Sequence, residues 1–247
     1  MFKIKTLFAA ILAVSAAQAF ADDSAAYVYQ NGNKHETEVT QQGSDQTSTV
    51  YQYGNQNTAI TTQSGSGFWF LTSQNDSYVY QDGTRNSAAV DQAGGSHDVS
   101  VKQWGNEQDA TVTQTGRDNG SYSEQSGVKN GLAVEQSGYS NDSTVAQTGE
   151  RNNAAVVQTG LEGGVDLAQN GYRNDADIDQ SGLGNELVAD QFGSENQLVS
   201  VQTGGFSDAT VYQNGTKNLA NLAQSGYMDT ATISQSGVAN MATVTQR

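Results

Sequence analysis

The stretches Asn86-Ser87-Ala88-Ala89-Val90-Asp91-Gln92-Ala93-Gly94-Gly95-Ser96 and Asn152-Asn153-Ala154-Ala155-Val156-Val157-Gln158-Thr159-Gly160-Leu161-Glu162 share one pattern, N-x-A-x-V-x-Q-x-G-x-x. Asn, Ala, Val and Gln stand two residues apart. Side chains alternate across a strand, so this period places all four on one face. The Q-x-G-x-x segment is read as a tight turn, with Gly supplying a positive φ.

The pattern fills the chain. Gln recurs every 11 residues at Gln30, Gln41, Gln52 and Gln63. It recurs again at Gln81, Gln92, Gln103, Gln114, Gln125, Gln136, Gln147, Gln158, Gln169, Gln180, Gln191, Gln202, Gln213, Gln224, Gln235 and Gln246. The single break, from Gln63 to Gln81, spans 18 residues, one unit of 11 plus an insertion of 7. Gly follows two residues after each of the first 19 Gln, from Gly32 to Gly237. The Val position holds Val, Ile or Leu in 16 of 20 units, the exceptions being Thr61, Ser123, Ala189 and Ser200. Asn opens the unit at Asn57, Asn75, Asn86, Asn119, Asn130, Asn141, Asn152, Asn174, Asn185, Asn196, Asn218 and Asn240. Asp229 is the one carboxylate at an inward position.

One strand and one turn per 11 residues bring the chain back to its starting side after two units. This predicts an all-β, two-sheet β-solenoid of ten 22-residue coils, on the order of 48 Å long at about 4.8 Å per stacked strand. Inward Asn and Gln would lie above their own kind and form side-chain ladders, as in cross-β stacks.

Composition agrees. Ile, Leu, Val and Phe supply only 44 of 247 residues, and the net charge is −15. Such a chain cannot build a thick apolar core, and without the repeat it would read as disordered. The absence of Cys excludes thiol and zinc-ribbon chemistry. The acidic balance disfavours nucleic acid. The absence of Pro suits an unbroken backbone ladder.

Residues 1–21 read as a secretory signal peptide, with Lys3 and Lys5 before an apolar Leu7–Val14 and cleavage expected after Ala21; Ala19 is the second choice. Without Lys3 and Lys5 the charge becomes 9 − 26 = −17. Residues 22–247 form the repeat domain, with the insertion placed within 64–74. No later apolar run is long enough for a membrane span.

At these residues the sequence resembles the curlin family, the secreted subunits of bacterial curli amyloid fibres. The family repeat S-x5-Q-x-G-x-x-N-x-A-x3-Q is matched by Ser24-x5-Gln30-x-Gly32 and by Gln81-x-Gly83-x-x-Asn86-x-Ala88-x3-Gln92. The likeness runs from Ser24 to Gln246, over ten repeats where familiar members have about five. The resemblance implies a secreted, non-enzymatic subunit without cofactor. It would self-assemble end to end into extracellular fibres at the bacterial surface for adhesion, aggregation and biofilm matrix. A nucleator or major partner subunit and outer-membrane secretion machinery are the implied partners. The polymer-forming major subunit is the favoured reading. The alternatives are a nucleator, since Val244-Thr245-Gln246-Arg247 resembles the end of the minor subunit, or a monomeric solenoid that binds ice or a glycan. The first and last units follow the interior pattern, so Ala26 and Val28 at one end, and Ala242 and Val244 at the other, are the expected polymerising ends.

No catalytic constellation is present. His35 and His97 both fall at the Asn position and are expected in the same sheet, two coils apart, as variants of the Asn ladder and not as metal ligands. The outward Asp and Glu are read as solubilising gatekeepers. Outward Thr pairs occur on both sheets, against an ice-binding array. Outward Tyr27, Tyr29, Tyr51, Tyr78, Tyr80 and Tyr212 are candidates for adhesion or lateral packing. Phe68-Trp69-Phe70-Leu71 is expected to fold over the solenoid flank.

Overall fold

A computed structural model describes residues 23–65 and 74–247. The signal-peptide reading and the Phe68–Leu71 cluster lie outside the described residues. Twenty strands form two parallel sheets of ten. The odd sheet holds β1 (Ala25–Asn33), β3 (Thr47–Asn55), β5 (Asp76–Thr84), β7 (Asp98–Asn106), β9 (Gly120–Val128), β11 (Asp142–Glu150), β13 (Gly164–Tyr172), β15 (Glu186–Ser194), β17 (Asp208–Thr216) and β19 (Thr230–Val238). The even sheet holds β2 (Glu36–Gln42), β4 (Thr58–Ser64), β6 (Ser87–Gly95), β8 (Asp109–Arg117), β10 (Gly131–Tyr139), β12 (Asn153–Leu161), β14 (Asp175–Leu183), β16 (Gln197–Gly205), β18 (Leu219–Gln224) and β20 (Met241–Gln246). Each pair of consecutive strands is one coil, so the fold is the two-sheet solenoid that the register implies.

Register is strict. Gln136 lies between Gln114 and Gln158, Val134 between Val112 and Val156, and Gly138 between Gly116 and Gly160. The insertion leaves it intact, because Gln63 still pairs with Gln92 and Gln52 with Gln81. Extra residues at a corner change neither the strand's period nor its face.

The core is a thin slab between the sheets. Val101, Leu167 and Ile178 are fully buried, as are Ala59, Ala88, Ala110, Ala154, Val99, Leu187 and Leu198 in the row beside them. Val28, Val39, Ala242 and Val244, in the outermost coils, are only partly buried against it.

The strands run further than the sequence suggests. Most cover nine of the eleven residues and pass through the Gly that was read as part of the turn. Those Gly adopt positive φ, +119° at Gly138 for example, and a Cβ there would overlap the carbonyl oxygen of Gly160 in the next coil. The chain bends inside the ladder and keeps its hydrogen bonds. The corner itself is a left-handed residue two places on, such as Lys129 (φ 59°), Arg151 (φ 58°) or Glu162 (φ 57°). Its N–H also bonds coil to coil, as in Lys129 N to Asn106 O at 3.0 Å and Arg151 N to Val128 O at 2.9 Å. That continuous stacking offsets the cost of about 1–2 kcal/mol that a left-handed conformation imposes on an L-residue.

Candidate functional site

The chemistry of this chain lies in its repeated rows. Along the odd sheet each Gln donates from Nε2 to Oε1 of the next: Gln81 to Gln103, Gln103 to Gln125, Gln125 to Gln147 and Gln147 to Gln169, all at 2.8 Å. The even sheet repeats this from Gln41 through Gln114, Gln136 and Gln158 to Gln246, with links of 2.7 to 3.2 Å. The second Nε2 hydrogen crosses the core to the first carbonyl of the preceding strand, as from Gln103 to Ser87 O (2.8 Å) and from Gln147 to Gly131 O (2.9 Å). A buried amide is thus satisfied on both its nitrogen and its oxygen, which removes the cost of desolvating it.

Asn behaves differently. Its Oδ1 accepts the backbone N–H one coil on, as from Asn152 to Asn130, Asn174 to Asn152 and Asn218 to Asn196. Its Nδ2 donates to the carbonyl four residues back, Asn152 to Thr148 O at 2.9 Å, and to a Gly carbonyl, Asn152 to Gly171 O at 3.3 Å. Direct amide-to-amide contacts are fewer: Asn141 to Asn119, Asn196 to Asn174, Asn218 to Asn196 and Asn240 to Asn218. The Asn row therefore clamps the corner to the next coil. The expected side-chain ladder is present at those four contacts, running unbroken from Asn174 to Asn240, and elsewhere the clamp takes its place.

His35 and His97 sit in opposite sheets, before β2 and β7, and not in one sheet as expected. Parity decides this: they are five units apart, an odd number. Each imidazole copies an Asn. His97 Nδ1 accepts from Asn119 N (3.3 Å), and Nε2 lies 3.3 Å from Ala93 O. That pattern selects the neutral tautomer with the proton on Nε2. Burial, chiefly, holds His97 below the ordinary histidine value, against an opposing pull from Asp118 and the backbone. Among the described residues no group of three or more His, Asp or Glu could hold a metal ion.

The outer surface is segregated by the same parity. Tyr27, Tyr29, Tyr51, Tyr78, Tyr80 and Tyr212 all lie on the odd sheet, because their units are all odd-numbered. Tyr53 and Trp104, one place beyond the Gln, join the cluster: Tyr29–Tyr53 and Tyr53–Tyr80 have ring centroids 5.6 Å apart, and Tyr80–Trp104 5.8 Å. The sequence reading missed these two because it followed the strand only to Gln. Lys34, Arg85, Lys129, Arg151, Arg173 and Lys217 share one corner position after odd strands and so line one edge. Arg85 and Lys129 reach Glu107 at 3.5 and 3.3 Å, and Lys217 reaches Glu195 at 3.5 Å. Such exposed pairs contribute little. The carboxylates lie mostly on the sheet faces. Burial raises Asp98, with a contribution from stacked Asp76, and raises Asp142; it also raises Asp190, with help from Asp166.

At the two ends the rows stop. Among the described residues, Gln30 and Gln41 have an Oε1 that no earlier rung fills. Gln235 and Gln246 donate across the core to Leu219 O and Thr230 O, both at 3.0 Å, and have no later rung for the second hydrogen. Among the described residues no helix is long and apolar enough to cross a membrane.

Residues 75–105, 164–193 and 207–247 match the family model of the curlin associated repeat. No curated protein matches the chain. The matches fall in the early, middle and late coils of one uninterrupted stack, and the unmatched coils between them share its register residue for residue. The matched residues are curlin-associated repeats, and they support reading the chain as a curli fibre subunit of the curlin family.

Proposed function

We propose that the chain is a polymer-forming, major-type fibre subunit that grows end to end, is exported by the signal peptide of residues 1–21, and serves cell adhesion and matrix formation. The observation that carries this reading is the polarity of the two ends. Acceptors at Gln30 and Gln41 complement donors at Gln235 and Gln246, and the outer edges of β1, β2, β19 and β20 are unpaired among the described residues. A second copy set with β1 on β19 and β2 on β20 continues both sheets and both Gln rows. The partly buried Val28, Ala242 and Val244 become interior at that joint. Such a heterologous contact repeats without closing, the geometry of a filament. All joints share one sense, so the fibre has a defined polarity.

The test is sedimentation and electron microscopy of the untagged protein lacking residues 1–21, followed over days at micromolar concentration. Fibres are expected. The double variant Ala242→Asp/Val244→Asp should fold, join an existing fibre through its β1–β2 end, and block the next addition. A wild-type chain that stays folded and monomeric refutes the fibre reading and favours a surface-binding solenoid.

A further inference from the structure

We infer that Tyr29, Tyr51, Tyr53, Tyr78 and Tyr80 form an oxidative cross-linking site, at which a peroxidase-type one-electron oxidant joins phenols of neighbouring coils into dityrosine. The five phenols lie on the outer face of β1, β3 and β5. They make four ring pairs across coils: Tyr29–Tyr51 at 6.2 Å, Tyr29–Tyr53 at 5.6 Å, Tyr51–Tyr78 at 6.0 Å and Tyr53–Tyr80 at 5.6 Å. All four are tilted by 41 to 51°, so ring edges and not flat faces approach one another. Coupling needs contact between the carbons ortho to oxygen, which lie on those edges. Tyr29 is exposed and the other four rings are partly exposed, and χ2 of Tyr is broad, so ring rotation can bring the edges together without moving the backbone.

The chemistry balances. Each phenol gives one hydrogen atom, electron and proton together, to the oxidant. The two phenoxyl radicals join by one carbon–carbon bond between ortho positions. The two ortho hydrogens then move to the oxygens as the rings regain aromaticity. With hydrogen peroxide as the final acceptor, two tyrosines and one peroxide give one dityrosine and two waters. A tyrosine phenol at its ordinary value keeps its hydrogen at neutral pH, and desolvation, with the neighbouring Tyr29 and Tyr80, raises Tyr53 further in the same direction.

The C-terminal half supplies the contrast. Its ring pairs, Phe192–Tyr212 at 5.9 Å and Phe206–Tyr227 at 5.5 Å, are as close, but each contains a Phe that has no phenolic hydrogen to give. The reaction is thereby confined to the first coils, where each bond ties one coil covalently to the next. The site belongs to the single folded chain, so its failure would be distinct from failure of the fibre reading.

The experiment treats the folded protein with horseradish peroxidase and hydrogen peroxide, then reads dityrosine fluorescence and maps the linked peptides by mass spectrometry. Links within the chain between Tyr53 and Tyr80, and between Tyr29 and Tyr53, are expected. The Tyr53→Phe variant leaves two of the four phenol pairs and should lose those two links while retaining Tyr29–Tyr51. Tyr80→Phe should lose the Tyr53–Tyr80 link alone. In guanidinium the links should scatter over Tyr139, Tyr172 and Tyr227. The inference is overturned if folded and unfolded protein give the same link map, or if the folded protein links chiefly through Tyr139 and Tyr227.

Discussion

Nearly every coil carries primary amides at both ends of its inward strand face, and the two ends use them differently. At the Gln end the amide reaches across the slab and runs side chain to side chain along the axis. At the Asn end it stays local, binding its own corner and the backbone of the next coil. The functional group is the same; the difference is one methylene. Gln46 and Gln108 show what that methylene does, since both occupy the Asn position. Each still donates to the carbonyl four residues back, Gln42 O and Trp104 O, at 2.9 Å. Neither places its Oε1 on the following coil, and both oxygens are buried without a partner. Imidazole succeeds where the longer amide fails, because His97 Nδ1 keeps roughly the reach of Asn Oδ1. Reach, and not polarity, therefore distinguishes the two rows.

The largest expected effect breaks the Gln end. Gln136 accepts from Gln114 at 2.7 Å and donates to Gly120 O and Gln158 Oε1, both at 2.8 Å. Gln136→Lys puts an unpaired charge in the slab and should cost about 3–5 kcal/mol, the penalty of an uncompensated buried charge. Fibre growth followed by an amyloid dye should slow sharply. Glu135→Lys, on the outer face next door, should shift stability by no more than about 0.5 kcal/mol. Equal growth rates for the two variants would contradict the inward and outward assignment.

Breaking the Asn end should cost less. Asn141→Leu removes the acceptor for Gly163 N–H and the donor to Ser137 O and Gly160 O. The expected loss is about 2–3 kcal/mol, since polar backbone groups are left unsatisfied. A denaturant midpoint measured on soluble protein should place it between Glu135→Lys and Gln136→Lys.

Gln108→Asn sharpens the comparison from the other side. Shortening this side chain should bring its oxygen onto the N–H of Asn130 and end its burial without a partner. A gain of about 1 kcal/mol is expected, the net value of one buried hydrogen bond. No gain, or a loss, would mean that something other than reach separates Gln from Asn at the corner.

The smallest effect is pH dependence at His97. Its folded value is depressed, so the unfolded chain binds a proton more readily. Its contribution is intact above the ordinary value of 6.5 and is lost as pH falls from there toward the folded value. Protonation would point an Nδ1 proton at the N–H of Asn119. The carboxylates Asp98, Asp142 and Asp190 act in the opposite sense, since groups with raised values favour the folded chain in acid. The useful measurement is therefore the difference between wild type and His97→Asn from about pH 7 to about pH 5. Wild type should weaken relative to the variant over that range. A constant difference would show that the imidazole does not have to stay neutral.

Much of this could be read from the chain because period two and period eleven are properties of sequence. The Gln at each strand's inner end, the Val and Ala rows, the number of coils and the outward placement of Asp175, Asp177 and Asp179 all follow from counting. Parity is equally legible there: an odd separation puts the two His in opposite sheets, and odd-numbered units put the outward tyrosines on one sheet. What counting could not reach was the bonding at each position. Asn and Gln have the same donors and acceptors, so only the distance from the backbone to its neighbours separates a ladder from a clamp.

The sequence alone thus determined the face of each residue, the strand count and the sheet to which each unit belongs, since alternation and repeat length leave no freedom in them. Tertiary structure decided the rest. It carried the strands through Gly138 and its equivalents, because stacked carbonyls there exclude a Cβ. It assigned Asn to the corner and Gln to the axis, because one methylene sets their reach. It brought Tyr53 to Tyr29 and Tyr80, because parallel stacking sets residues from successive coils side by side although the chain separates them by more than twenty positions.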